Sequence, residues 1–272
     1  MFRSALVALK PDRAGSVVPY AVELAKARAL SLRGIAVVDE MRLHRNEAVP
    51  LGASLYKADR DAQHLEIARQ LAKTVALQFE DACRAAGLTF SVDVVDGDIP
   101  GVLARAAISE DVLICGNTPG GDASERSLLQ AILKHNARPA LVVPRGPTGG
   151  ANVLLAYDGS FQAARVMATL VNSGLLTGRS LRVSTLHEEF ATAAARSVSA
   201  MSFLSHHEVT AESFAEVLDR DPVEHLMNAA RRHDAGLIAM GAFGKGAVRE
   251  FFFGSTTQKM LERLSIPVLI DH

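Results

Sequence analysis

The residues with the most evident chemistry lie late in the chain, as Gly241-Ala242-Phe243-Gly244 and then Gly254-Ser255-Thr256-Thr257. Glycines allow positive φ and let backbone N–H groups approach a ligand with no Cβ between. The apolar run 237–240 before them predicts a short buried strand. Residues 258–264 behind them predict a helix with Met260, Leu261 and Leu264 on one face. A helix start adds unpaired N–H groups and the positive end of a dipole. Ser255, Thr256 and Thr257 add hydroxyls that cap the helix or donate to a phosphate oxygen. On these residues alone two readings stand: a phosphate cradle, or a plain strand–turn–helix junction with a Ser/Thr cap.

Two phosphate-binding signatures are excluded. Lys245 is followed by Gly246 and Ala247, which does not complete Gly-x4-Gly-Lys-Ser/Thr, and Arg249 breaks Gly-x-Gly-x-x-Gly. The spacing Gly-x2-Gly-x9-Gly-Ser instead resembles the ATP-binding motif of the universal stress protein family. The closing run Ile266-Pro267-Val268-Leu269-Ile270 resembles that family's final strand. The resemblance implies an adenine-nucleotide-binding regulatory protein of the stress response, with ATP and Mg²⁺ as its cofactors.

Composition narrows the alternatives. With 272 residues, 49% of them hydrophobic, the chain can bury a large core in one or two domains. A formal net charge of −1, 5% aromatics and no Trp argue against nucleic acid and anionic membranes as partners. The apolar stretch at 4–9 is too short for a secretion signal and is closed by Lys10-Pro11-Asp12, so it predicts a first strand. No run approaches membrane-spanning length. Cys83 and Cys115 suggest neither a disulfide framework nor a metal pair, and a cytoplasmic, reduced protein is expected.

The order of elements is used twice. Residues 5–9 parallel 153–157, 35–38 parallel 181–186, and 92–95 with Asp98-Ile99-Pro100 parallel 214–218 with Asp221-Pro222. Residues 113–116 likewise parallel 238–241, and 139–143 parallel 267–270, with a longer insertion in the first half between its second and third strands. Helices are predicted over 20–30, 64–86, 102–107, 163–170 and 223–231. Short apolar strands alternating with helices indicate α/β architecture: two tandem doubly wound, Rossmann-like parallel-sheet domains. The expected division is 1–145, a linker at 146–150, and 151–272, the linker being Gly146-Pro147-Thr148-Gly149-Gly150. In the family such domains pack through their last strands. That implies an internal pseudo-dimer in which 140–143 meets 268–270, and it leaves a homodimer of the tandem chain open.

A ligand on an open parallel sheet lies beyond the carboxyl ends of its strands. By resemblance, Asp158 lies near adenine and ribose, Ala156 is the small position before it, and Leu186 supplies a main-chain contact to adenine. Met240 and Gly241 match the ribose side, while Gly244, Gly254, Ser255 and Thr256 match the phosphate cradle. Asp158 also serves as the candidate Mg²⁺ ligand; its plainer reading is a turn former before Gly159. The first half departs from this pattern, with Lys10 opposite Asp158, Pro119 at the place of Gly244, and Arg126 at that of Gly254. One ATP site, in the second half, is therefore expected.

Other chemistry is thin. His206-His207 cannot easily share one ion on a helix, and His233 beside Asp234 resembles a helix C-terminal charge. Cys115 at a strand end fits a core position better than a nucleophile. Phe251-Phe252-Phe253 fit packing beneath the loop, and Lys245 and Arg249 fit either phosphates or solvent. No dedicated base is apparent, so slow hydrolysis or none is expected. A nucleotide-dependent hydrolase or nucleotidyl-transfer enzyme is the alternative from another class; a ligand-free interaction module is a third. The partner protein is not legible.

Overall fold

The computed structural model describes residues 1–40, 54–117, 121–146, 149–219, 221–241 and 255–271, without the side chains of 54–58 and 255. In chain order the first elements are β1 (Ser4–Leu9), α1 (Ala14–Arg28), β2 (Ser31–Val38), α2 (Ser54–Ala85) and β3 (Phe90–Asp96). They are followed by α3 (Ile99–Ala107), β4 (Val112–Gly116), α4 (Ala123–His135) and β5 (Ala140–Val143). The second series is β6 (Asn152–Ala156), α5 (Phe161–Ser173), β7 (Leu181–His187), α6 (Phe190–His206) and β8 (Ala211–Val217). It closes with α7 (Pro222–Arg232), β9 (Ala235–Gly241), α8 (Ser255–Glu262) and β10 (Val268–Asp271).

Two compact units result. One comprises Arg3–Gly116 and Ser127–Arg138; the other comprises Met1–Phe2, Asn117–Arg126 and Pro139–His272. The strand order in the first is β3-β2-β1-β4, all parallel. In the second it is β5-β10-β9-β6-β7-β8, parallel except at β5. Each is an α/β arrangement with helices against the sheet, as the alternation in sequence requires. Inner strands such as β1 and β9 are buried at most positions, whereas the outermost β3 and β8 mix half-buried with exposed positions.

β5 joins the second unit by pairing antiparallel with β10, Val268 opposite Val142 and Ile270 opposite Ala140. The sequence expected these two strands to meet. Asn117 strengthens the same unit, its N–H donating to the Val143 carbonyl at 2.8 Å and its carboxamide to the Leu261 carbonyl.

Local signals account for several helix starts. Asp98 accepts the Gly101 N–H with Pro100 in the first turn, and Asp221 accepts the Val223 N–H ahead of Pro222. Several elements differ from expectation: α2 begins at Ser54 and not at residue 64, and α4 had not been anticipated. α1 begins before Pro19, because Val17 and Val18 on one side and Ala21 and Val22 on the other are buried and hold the helix through the proline. α6 was not anticipated: Ala193, Ser197, Ala200 and Leu204 form its buried stripe, and small residues give a weak apolar period.

α2 covers β2 through Phe79, which is fully buried. Gly34 leaves room for its ring, since a Cβ there would stand 2.7 Å from a ring carbon. Phe79→Ala is expected to cost about 3–5 kcal/mol, read as a lower urea midpoint.

α8 is tied to α7 by charge. Lys259 and Arg263 each lie 3.5 Å from the Asp221 carboxylate. The Val223 N–H holds the Asp221 carboxyl below its ordinary range; partial burial opposes this, and Lys259 and Arg263 reinforce it. A carboxyl lowered in the folded state stabilises above its unfolded pKa, and that contribution is lost as pH falls through the folded value. Asp221→Asn keeps a capping oxygen but removes the charge. It should lower stability by at most about 1 kcal/mol at neutral pH. Denaturation midpoints of the two proteins should converge below pH 3.8.

Candidate functional site

β6 lies between β7 and β9, and its register fixes what gathers at the carboxyl ends. Ala156 stands opposite Met240 on one side and Ser184 on the other. The Tyr157 N–H donates to the Ser184 carbonyl at 2.9 Å, extending the pairing one residue further. The chain then turns. The Asp158 carboxylate accepts the Ser160 N–H at 2.9 Å, Gly159 has φ +76°, and the Ser160 hydroxyl caps α5 by accepting the Ala163 N–H at 3.2 Å. Asp158 is thus a turn former, as its plainer reading held, and it is also an exposed carboxylate at the end of the central strand.

Ala156, Met240 and Gly241 are brought to neighbouring strand ends. Leu186 is on β7, two residues beyond Ser184, and pairs with Glu216 of β8. Gly241 faces Asp271 of β10. A Cβ on Gly241 would lie 2.6 Å from the Gln162 carbonyl carbon and 2.7 Å from the Ala163 nitrogen, so it is the closest permitted approach to the first turn of α5. Ser255 is the first residue of α8, Thr256 is half-buried and Thr257 is buried. Gly244 and Gly254, with Lys245, Val248, Arg249 and 251–253, lie outside the described residues, as does Pro119 of the first half.

Three features had no signal in the sequence reading. Asp271 is buried and accepts the Thr169 hydroxyl, linking the end of β10 to α5. Thr185 on β7 is fully buried with an unpaired hydroxyl. Arg196 of α6 lies across Gly159, its Cγ and Cδ 3.1 Å from where a Cβ would be. Burial raises the Tyr157 phenol above its usual range, Asp158 raises it further, and Arg196 opposes both.

Two expectations change. His233 does cap the C-terminus of α7, but burial, then the adjacent Arg182 and Arg232, hold its pKa below the ordinary value and disfavour the charge, and its ring stacks on Phe214. Arg126 lies inside α4, not in the loop before the helix, and its guanidinium donates to the Gly121 carbonyl. Cys115 is buried and its thiol is pushed up to about 12 by desolvation, which suits a core position. Among the described residues no three His, Cys, Asp or Glu side chains form a metal-binding group. None of their helices is long and apolar enough to cross a membrane.

The parallel sheet with helices against it, and a polar turn beyond the end of its central strand, defines a doubly wound α/β protein of Rossmann-like type. Comparison with known proteins is specific. The model of the universal stress protein family matches residues 151–272. A universal stress protein of Thermus aquaticus is 32% identical over 136 residues, 43% of this chain and 96% of its own length. Universal stress protein Slr1230 of Synechocystis is 27% identical over 278 residues, covering 95% of each chain. A solved universal stress protein from Archaeoglobus fulgidus shares the fold, with a TM-score of 0.72 at 18% identity over 98% of this chain and 95% of that one. The chain belongs to the universal stress protein family.

Gly241→Ala would press a methyl group into the α5 main chain, which cannot rotate away. It should destabilise the protein by about 1–3 kcal/mol, seen as a lower melting temperature with no ligand present.

Proposed function

We propose that this chain binds ATP with Mg²⁺ at the carboxyl ends of β6, β7 and β9, and acts as a nucleotide-dependent regulatory protein. The observation that carries this reading is the exposed Asp158 carboxylate, held beyond the end of β6 beside β9, the strand that runs into the glycine motif. Family membership supports it, and so does the match of the family model to the half that contains the motif.

In this reading Ala156 and Leu186 flank adenine, and Asp158 serves the ribose and the metal. Met240 and Gly241 border the ribose, while Gly244, Gly254, Ser255 and Thr256 take the phosphates. The donor set fits the ligand. Mg²⁺ commonly takes one or two carboxylates together with phosphate oxygens, and among the described residues Asp158 is engaged through Oδ1 alone, by the Ser160 N–H. The unpaired Thr185 hydroxyl, next to Leu186, offers a further polar group at that strand end. Bound Mg²⁺ would neutralise phosphate charge.

Residues 1–145 and 151–272 are read as tandem domains, with the site in the second. In the first, Lys10 stands where Asp158 does, and Asp12 pairs with Lys10 at 3.4 Å and Arg13 at 3.1 Å. Both cysteines are free and buried, in keeping with a reducing, cytoplasmic setting. Nucleotide occupancy would alter a surface read by a partner protein, with slow hydrolysis or none.

Calorimetric titration of the intact protein with ATP, ADP and AMP, with and without Mg²⁺, tests the reading. Saturable binding near one nucleotide per chain is expected. It should weaken at least tenfold in Asp158→Ala, a loss of about 1.4 kcal/mol, and in Gly244→Pro. Two equal sites, or no binding, would overturn it.

A further inference from the structure

The α6 helix brings one cation to the proposed site that the motif does not predict. Arg196 is half-buried and makes no hydrogen bond or ion pair with any described residue. Its aliphatic stem and Nε lie against Gly159, 3.1–3.2 Å from a virtual Cβ, so only glycine leaves room for it there. The charge also reaches Tyr157, the residue that extends the β6–β7 pairing. α6 packs on β7 and β8, whereas the glycine motif follows β9, on the other side of β6. Arg196 is therefore placed with Ala156, Asp158 and Leu186, away from the phosphate end.

We propose that the Arg196 guanidinium lies against the purine ring of the bound nucleotide and sets the affinity for the base, an inference that rests on the nucleotide reading of this site. A partly buried guanidinium that no described anion engages presents its flat faces to a ligand. Guanidinium planes stack on nucleobases and are drawn to aromatic faces, and the stem held by Gly159 reduces the entropy lost on binding.

The test is titration of the full chain, as wild type, Arg196→Ala and Arg196→Lys, with ATP, AMP and adenosine. Stacking on the base predicts that Arg196→Ala weakens all three ligands by the same factor, about 5- to 30-fold. Arg196→Lys should fall between, because it keeps the charge and loses the plane. Thermal melting without ligand should leave the variants within a few degrees of wild type. Unchanged affinity in Arg196→Ala would overturn the proposal. So would a loss that grows with the number of phosphates, which would make Arg196 a phosphate contact. If wild-type protein binds neither nucleotides nor adenosine, the nucleotide reading itself fails. That outcome is distinct from tight wild-type binding that ignores the substitution.

Discussion

The register of β6 against its two neighbours is the constraint on which the rest of the second unit depends. Ala156 level with Met240 and Ser184 puts three strand ends at one height. A one-residue slip would exchange the faces of every side chain on β6, sending Val153 and Leu155 to where Leu154 lies. All three are buried, so burial alone does not choose between the registers. The choice is made at the end, where the Tyr157 N–H finds the Ser184 carbonyl and Asp158 and Ser160 close the turn into α5. Hydrogen-bond geometry at the rim thus settles what hydrophobicity leaves undecided.

The antiparallel seam between β5 and β10 has a similar logic. Both strands are four residues long and buried throughout. Left unpaired, each would present an apolar edge with free N–H and C=O groups. Their pairing removes both edges at once. Asn117 adds side-chain and main-chain hydrogen bonds within the same unit.

The inner strands were legible because they are short apolar runs bounded by turn residues, and α3 and α7 because an Asp and a Pro announce them. α6 was not, since its buried face is made of Ala193, Ser197 and Ala200, which no hydrophobic period distinguishes from an exposed one. Asp158 could be placed from its position after a strand, whereas Arg196 could not. Its relation to Gly159 joins α6 to the turn before α5 across 37 positions, and only packing creates it. His233 misled for the same reason: a histidine at a helix end suggests a charge, and only the structure reveals the Arg182 beside it.

The two halves clarify which residues carry information about a ligand. Gly116 ends β4 as Gly241 ends β9, and it too is pressed by the helix after the first strand of its half, a Cβ there lying 2.8 Å from Arg13 and Val17. The glycine is therefore present in the half whose sequence lacks the motif, because close helix packing demands it whether or not a phosphate is present. Gly241 alone says little about nucleotide binding. The discriminating position is the one after the first strand, where one half has Lys10 in an ion cluster with Asp12 and Arg13, and the other has Asp158 exposed at the turn. Arg13 is almost fully buried and close to Asp12, so its half balances that charge with its own chain. The second half leaves an exposed acid beside Gly159 and, packed across that glycine, an arginine that pairs with no described residue.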